Sequence, residues 1–208
     1  MIGHPPRRGS QKQTQAGIGH IPANHTELSP AAARRVASLA KRGKSTALAD
    51  EEQRIIDATL WLEALTGNSK CNASLVAALA GINSPSTAID WCRVLHQRRA
   101  IGYDGMNVCL KKSGRKLASP ISVSPTLEEL HKRVVAGQWG PYARGLQSLI
   151  DRYPDAYSRQ EFATAADIGP ESFSMGHAVR SLLRQGLIKS SPSGMLSAAA
   201  ALFDGPRS

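Results

Sequence analysis

The chain has 208 residues, of which 41% are hydrophobic and 20% are charged, a composition typical of a globular protein. It carries 26 Lys and Arg residues against 16 Asp and Glu residues, so its formal net charge is +10 at pH 7. No apolar run of about 18 residues predicts a transmembrane helix, no secretory signal is expected at the N-terminus, and the few cysteines do not suggest a disulfide scaffold. The composition therefore predicts a reduced cytoplasmic protein with a polyanionic partner and no membrane association.

The positive charge is concentrated in the N-terminal quarter. Residues 1–50 contain 8 basic and 2 acidic residues, a net charge of +6, against +3 for residues 51–120 and +1 for residues 121–208. Residues 1–28 lack apolar periodicity and are predicted to be a disordered basic arm, whereas residues 29–44 predict a basic helix. This region is either a solvated, solubilising segment or a phosphate-binding arm. Its candidate DNA-binding residues are Arg7, Arg8, Arg34, Arg35, Lys41, Arg42 and Lys44.

Residues 50–118 predict a first folded domain. An amphipathic helix over residues 51–65, which Asp50 can cap, is followed by a short helix over residues 72–80. A third helix is expected to begin after Ser84 and to end near Arg99. The Asp104-Gly105 pair between two apolar runs then favours a hairpin with a type I′ turn.

This order of elements is that of a winged helix-turn-helix domain, and one segment makes the resemblance specific. Residues 86–101 resemble the recognition helix and first wing strand of winged-helix regulators, typically Ser-Thr-Val-x-x-Leu-Val-x-x-Leu-x-x-x-Gly-Leu-Ile. In that family the outer face of the helix enters the major groove. The resemblance therefore implies these DNA-binding residues on the first recognition helix: Ser84, Ser86, Thr87, Ile89, Asp90, Arg93 and Gln97.

Two positions depart from the family pattern. Arg99 stands where the family usually has glycine. Asp90 brings a negative charge, which either accepts from a cytosine amino group or indicates that this face binds protein. A basic cluster follows the wing strand, where it would contact phosphate as wings commonly do or form an exposed charged loop. Its members are Lys111, Lys112, Arg115 and Lys116.

Residues 141–204 repeat the pattern. A helix opens at Pro141, a capping-box sequence from Ser158 to Glu161 starts a short helix, and a third helix is expected over residues 171–184. Residues 183–189 match the winged-helix pattern better than the first repeat because Gly186 is present. Residues 190–194 would form the wing turn. The outer face of this second recognition helix carries these candidate DNA-binding residues: Ser172, Ser174, His177, Arg180 and Arg184.

The two segments match at a constant separation. Leu62 and Leu149, Leu75 and Phe162, and Leu95 and Leu182 are each 87 residues apart. We therefore predict a mainly α protein with short β-hairpin wings (α+β), built from two tandem winged helix-turn-helix domains. Residues 119–140 are the predicted linker, with a bracing helix from Thr126 to about Ala136 and a turn in which Trp139 is expected to pack.

Signals for catalysis are weak. The histidines are scattered and none stands at a metal-ligand spacing from a cysteine, and there is no Walker A or nucleophile motif. We therefore expect no enzyme, no metal and no cofactor. Cys92 and Cys109 are expected in the core and Cys71 at an exposed helix start. Few aromatic residues are expected on polar faces, which argues against a single-strand stacking platform.

The sequence thus predicts a duplex DNA-binding protein, such as a transcription regulator or a replication or partition factor of a mobile element. Its two heads would read adjacent major grooves about one helical turn apart, within a nucleoid-associated monomer or homodimer. The alternative is a structural or adaptor subunit of a nucleoprotein complex. In that case the first domain holds DNA or RNA and the nearly neutral second domain docks a protein partner.

Overall fold

The computed structural model describes residues 48–205. The predicted arm (1–28) and basic helix (29–44), with their seven candidate DNA-binding residues, lie outside this range. Within it, eight α-helices, two small antiparallel sheets and one 3₁₀ helix form a mixed α+β fold. None of these helices is long and apolar enough to cross a lipid bilayer.

The first half of the described chain has seven elements. They are α1 (Asp50–Thr66), β1 (Cys71–Asn72), α2 (Ala73–Leu79), α3 (Pro85–Gln97), β2 (Ile101–Tyr103), β3 (Asn107–Leu110) and α4 (Lys112–Leu117). The three strands form one antiparallel sheet in the order β1-β3-β2. The sequence did not predict β1, because two residues are too few to establish a strand period.

The second half repeats this order after a connecting helix. Its elements are α5 (Leu127–Ala136), α6 (Gly140–Asp151), α7 (Arg159–Ala166), α8 (Phe173–Arg184), β4 (Ile188–Ser190), β5 (Leu196–Ala198) and a 3₁₀ helix (Ala200–Phe203). β4 and β5 pair antiparallel. An isolated bridge joins Tyr157 to Leu196 just before α7, as the pairing of Cys71 with Val108 precedes α2. Each half therefore runs helix, short extended segment, helix, helix, hairpin.

The predicted helix starts are mostly confirmed by side-chain caps. Asn72, Ser84 and Ser158 each accept a backbone N–H from the first turn of the helix that follows. Two details differ. Asp50 does not cap α1 but lies in its first turn, where Glu52 accepts the N–H of Ala49. α8 begins at Phe173 rather than Glu171, because Ser172 is its N-cap.

A single hydrophobic core runs through both halves. The predicted bracing helix is present as α5, which buries Leu130 and Val134 and packs against α2, α6 and the 3₁₀ helix. The side-chain amides of Gln138 and Gln185 form a buried hydrogen bond of 2.9 Å between the end of α5 and the end of α8. The two halves are therefore held together by apolar packing through α5, and the amide pair fixes α5 to α8 within the second half.

The turn of the first hairpin differs from the prediction. A type I′ turn needs a positive φ at both central residues, but only Gly105 has one, with φ 97°. Tyr103 and Val108 are the last paired residues, and Asp104 Oδ1 accepts the backbone N–H groups of Asn107 and Met106 at 2.7 and 3.0 Å. These hydrogen bonds lower the pKa of Asp104. The aspartate thus shapes a wider loop through its side chain.

The expectation that Cys71 is exposed is wrong, because β1 places it in the core. Burial raises the pKa of the Cys71 thiol to about 12, and the nearby Glu63 carboxylate adds to the shift. Burial also raises the pKa of Cys92 to about 12. Both thiols are therefore protonated at neutral pH and behave as small core residues.

The hairpin of each half starts after a residue in the left-handed conformation. Arg99 has φ 59° and Gly186 has φ 67°, and they occupy equivalent places in the two halves. A side chain at such a φ is strained, whereas glycine adopts it freely. The departure from the family pattern noted at Arg99 therefore falls on a position where the backbone favours glycine.

We expect Arg99→Gly to stabilise the protein by about 0.5–1 kcal/mol, because relief of the left-handed strain exceeds the added freedom of the unfolded chain. Urea denaturation of the full chain measures this. The matched variant is Gly186→Ala, whose Cβ would also lie 3.2 Å from the Ser74 Cβ, and it should destabilise. Equal stability of Arg99→Gly and the parent would contradict the strain argument.

Candidate nucleic-acid interface

The start of α3 and the outer face of α8 meet around one cleft of about 270 Å³. On one side the cleft is lined by Pro85 of α3, its N-cap Ser84 and the preceding Asn83, and on the other by His177, Arg180 and Arg184 of α8. The two predicted recognition helices are therefore neighbours. Two independent reading heads on successive turns of DNA would be about 34 Å apart, whereas these helices meet at the cleft.

Most of the apolar residues of α8 lie on its inner face, in the core, so the arginines of the helix lie on its outer face. Met175, Ala178, Val179 and Leu182 are buried at helical spacing, which directs the intervening side chains outward. Arg180 and Arg184 are exposed, and neither forms an ion pair with an acidic residue within residues 48–205. The cleft thus carries two guanidinium groups whose charge is not neutralised by the described part of the protein.

The hydroxyl groups at the start of α3 form a local cluster. Ser84 Oγ accepts the Thr87 N–H at 3.4 Å and the Thr87 hydroxyl at 3.0 Å, and it lies 3.1 Å from the Ser86 Oγ. Ser84 caps the helix and is the member of this cluster that lines the cleft. The positive end of the α3 dipole and the arginines across the cleft carry the same sign of charge, so together they favour an anion in the cleft.

The other predicted residues of the two helices differ in exposure. Ile89 lines a second, smaller cleft of about 160 Å³ together with Tyr103 and Arg184. Asp90 and Arg93 are half-buried, and Gln97 is exposed at the far end of α3. On α8, Ser174 is exposed, whereas Ser172 is half-buried as the N-cap. The structure therefore groups the start of α3 with the outer face of α8 and leaves Gln97 apart.

The basic cluster after β3 is not at the tip of the hairpin. Lys111 leaves the hairpin at the opposite end, where its N–H donates to the Ala100 carbonyl, and the residues from Lys112 to Leu117 form α4. The tip carries Asp104 instead. The four predicted residues Lys111, Lys112, Arg115 and Lys116 are all exposed.

Two basic residues of the first half are engaged with buried glutamates of α1. Arg115 Nη2 lies 2.6 Å from Glu63 Oε2, a charge contact without hydrogen-bond geometry. Arg98 Nη1 donates to Glu52 Oε2 at 2.8 Å. Leu110 donates its backbone N–H to the other oxygen of Glu63 at 3.2 Å. These arginines therefore hold α1 to the elements around the first hairpin, which reduces what they can offer to a ligand.

Sequence reasoning missed a row of aromatic rings beside the cleft. Trp139, Tyr142, His177 and Phe173, which we call the aromatic strip, follow one another with ring-centroid separations of 5.5, 6.0 and 6.1 Å. Trp139 was expected to pack but is 68% exposed, and Phe173 is 80% exposed. The expectation of few aromatic residues on polar faces is therefore wrong for this surface.

A sequence signal for the strip existed. Trp139 and Tyr142 are three residues apart at the start of one helix, and Phe173 and His177 are four apart at the start of another. Such pairs are usually read as core, and only the tertiary contact between the Tyr142 hydroxyl and His177 Nδ1, at 2.7 Å, joins them.

His177 belongs to both features, because it lines the cleft and contacts the rings on either side. The cleft and the aromatic strip are therefore one continuous surface with cations at one end and aromatic rings at the other. Comparisons with protein-family models, with curated proteins and with solved structures found no match for this chain.

Proposed function

We propose that this protein binds duplex DNA through two winged-helix units whose recognition helices are α3 and α8. The observation that carries the proposal is the cleft between these helices, where Arg180 and Arg184 have no acidic partner in residues 48–205. The repeated order of helices and hairpins supports the winged-helix interpretation. The net charge of +10 supports a polyanionic ligand.

The arrangement favours one composite binding surface over two independent heads. Arginine side chains on α8 and the exposed start of α3 face the same cleft, so one stretch of phosphate backbone can contact both. Half-buried Arg93, on the same helix as Ser84, is the residue we assign to base recognition, because arginine pairs with guanine in the major groove. Such a protein suits a transcription regulator or a replication or partition factor.

The test is a double variant, Arg180→Ala with Arg184→Ala, in the full chain. We expect its affinity for duplex DNA to fall about tenfold to thirtyfold and the slope of log K against log salt to decrease by about two, because two phosphate contacts are lost. Fluorescence anisotropy at several salt concentrations measures both quantities. The duplex is first selected by enrichment from a random-sequence pool.

The matched control removes two positive charges elsewhere, with Lys132→Ala and Arg159→Ala. Both side chains are exposed and neither lines the cleft. The control should retain most of the affinity. Equal losses of affinity in the two double variants would show that binding depends only on net charge and not on the cleft. The absence of duplex binding by the parent chain would refute the proposal.

A further inference from the structure

Exposed aromatic rings are usually scattered singly over a protein surface, but here they are contiguous. Trp139 and Phe173 are the two ends of the aromatic strip and are mostly exposed; between them, Tyr142 is half-buried and His177 is exposed. A contiguous exposed apolar surface of this kind usually marks a binding site. Two large rings are therefore presented to solvent by elements whose other faces are packed in the core.

The strip is also pre-ordered. Trp139 meets Tyr142 edge to face with an interplanar angle of 89°, and the Tyr142 hydroxyl is hydrogen-bonded to His177. His177 in turn is tilted by 34° to Tyr142 and by 40° to Phe173. The central rings are thus oriented by their neighbours before any ligand arrives, which lowers the entropy lost on binding.

The chemistry beside the strip identifies the class of ligand. His177 connects the rings to the cleft, and Arg180 follows it by one helical turn with its charge unpaired in the described chain. Rings that offer a face to a base, next to cations that offer charge to a phosphate, are the combination found in sites for single-stranded nucleic acid. A duplex cannot use the rings, because its bases are stacked on each other.

We infer that the aromatic strip is a stacking surface for unpaired bases of single-stranded nucleic acid, whose backbone is held by Arg180 and Arg184. This inference goes beyond duplex binding and does not require it. Trp139 and Phe173 each stack on a base, and Tyr142 and His177 position them. A protein with this surface can hold an opened or overhanging strand beside the duplex.

The experiment titrates the full chain with an oligodeoxythymidylate of about 12 nucleotides, which has little structure of its own and matches the usual size of such sites. Tryptophan emission and anisotropy are recorded together. Trp61 is only 4% exposed and Trp91 is half-buried, so quenching by a stacked base reports mainly on Trp139. We expect strong quenching in the parent chain.

Four variants decide the outcome. Trp139→Ala and Phe173→Ala should each weaken binding of the oligonucleotide about tenfold or more. Trp139→Phe should keep most of the affinity but lose the quenching. The control, Ile121→Ala, removes a side chain that is 40% exposed in the loop between α4 and α5, and it should change neither quantity. Because Trp139 and Phe173 are exposed, all four variants should keep the thermal melting profile of the parent.

The inference is overturned if the quenching persists in Trp139→Phe, or if both alanine variants bind the oligonucleotide as tightly as Ile121→Ala. It is also overturned if sedimentation shows that Trp139→Ala dissociates an oligomer while single-strand binding stays unchanged, since the strip then joins two copies of the chain. Duplex affinity of the strip variants separates the two hypotheses. If single-strand binding fails while the arginine double variant still loses duplex binding, only the stacking inference is removed. If the parent chain binds the oligonucleotide but not a duplex, only the proposed duplex function is removed.

Discussion

Gly145→Ala is expected to destabilise the protein by about 3 kcal/mol, although alanine is the better helix former. A Cβ at position 145 would lie 2.5 Å from Cζ and 2.7 Å from Cε2 of Phe162. The Phe162 ring is fully buried where α7 packs against α6, so a shift of the ring would displace other core side chains. Urea denaturation followed by circular dichroism measures the free energy of unfolding.

The first half of the chain suggests a second substitution that should restore part of the stability lost in Gly145→Ala. The residues 87 positions before Gly145 and Phe162 are Ala58 in α1 and Leu75 in α2. In the first half, a larger residue on the first helix is thus matched by a smaller residue on the second. Phe162→Leu in the Gly145→Ala background should therefore recover part of the loss, and a double-mutant cycle should give a coupling energy of about 1–2 kcal/mol. Gly140→Ala in the same helix is the control, because a Cβ there meets nothing within 4 Å. Stability of Gly145→Ala equal to that of the control would disprove the packing argument.

Glu63→Ala is expected to cost a similar amount, about 3 kcal/mol. The buried carboxylate accepts the backbone N–H of Leu110 and contacts Arg115, and alanine leaves the Leu110 donor without an acceptor inside the protein. An unsatisfied buried donor costs about 1–3 kcal/mol. The contact with Arg115 adds less, about 1 kcal/mol, because the arginine side chain is half exposed and solvent screens it.

The conservative variant separates these contributions. Glu63→Gln keeps an oxygen that can accept from Leu110 but removes the charge, so we expect it to lose about 1 kcal/mol. Arg115→Ala should lose about as much. Hydrogen exchange of the Leu110 amide adds a local readout, because exchange should accelerate in Glu63→Ala and much less in Glu63→Gln. If the alanine and glutamine variants are equally stable, the hydrogen bond to Leu110 is not what holds α1 to β3.

Local chemistry made most of the helices predictable. Asn72, Ser84 and Ser158 are strong N-cap residues, and the apolar spacing after each of them is helical, so sequence alone gave these starts. The same holds for the second hairpin, whose turn is rich in Ser, Pro and Gly. The mixed α+β class with short hairpins followed from these local signals.

What the sequence could not supply depends on distant contacts. β1 is a strand only because β3 pairs with it, and the basic segment after β3 is a helix that packs back on α1. The aromatic strip requires α6 and α8 to bring Tyr142 and His177 together. The cleft likewise requires the end of α8 to lie against the start of α3, a geometry set by the packing between the halves.

The start of α3 is tied to the end of α5 by the hydrogen bond from Asn83 Nδ2 to the Gly137 carbonyl, and the neighbouring Gln138 is tied to Gln185 at the end of α8, so the two helices are linked before any ligand binds. A protein with two heads on a flexible tether tolerates insertions between its half-sites, but one with a shared core does not. On the proposed function the two helices cannot change their spacing, so the duplex has to adapt its own shape to the composite surface, and the energy of that deformation depends on base sequence. Part of the discrimination would then reside in base pairs that the protein never touches, with pyrimidine–purine steps favoured where the duplex turns across the cleft.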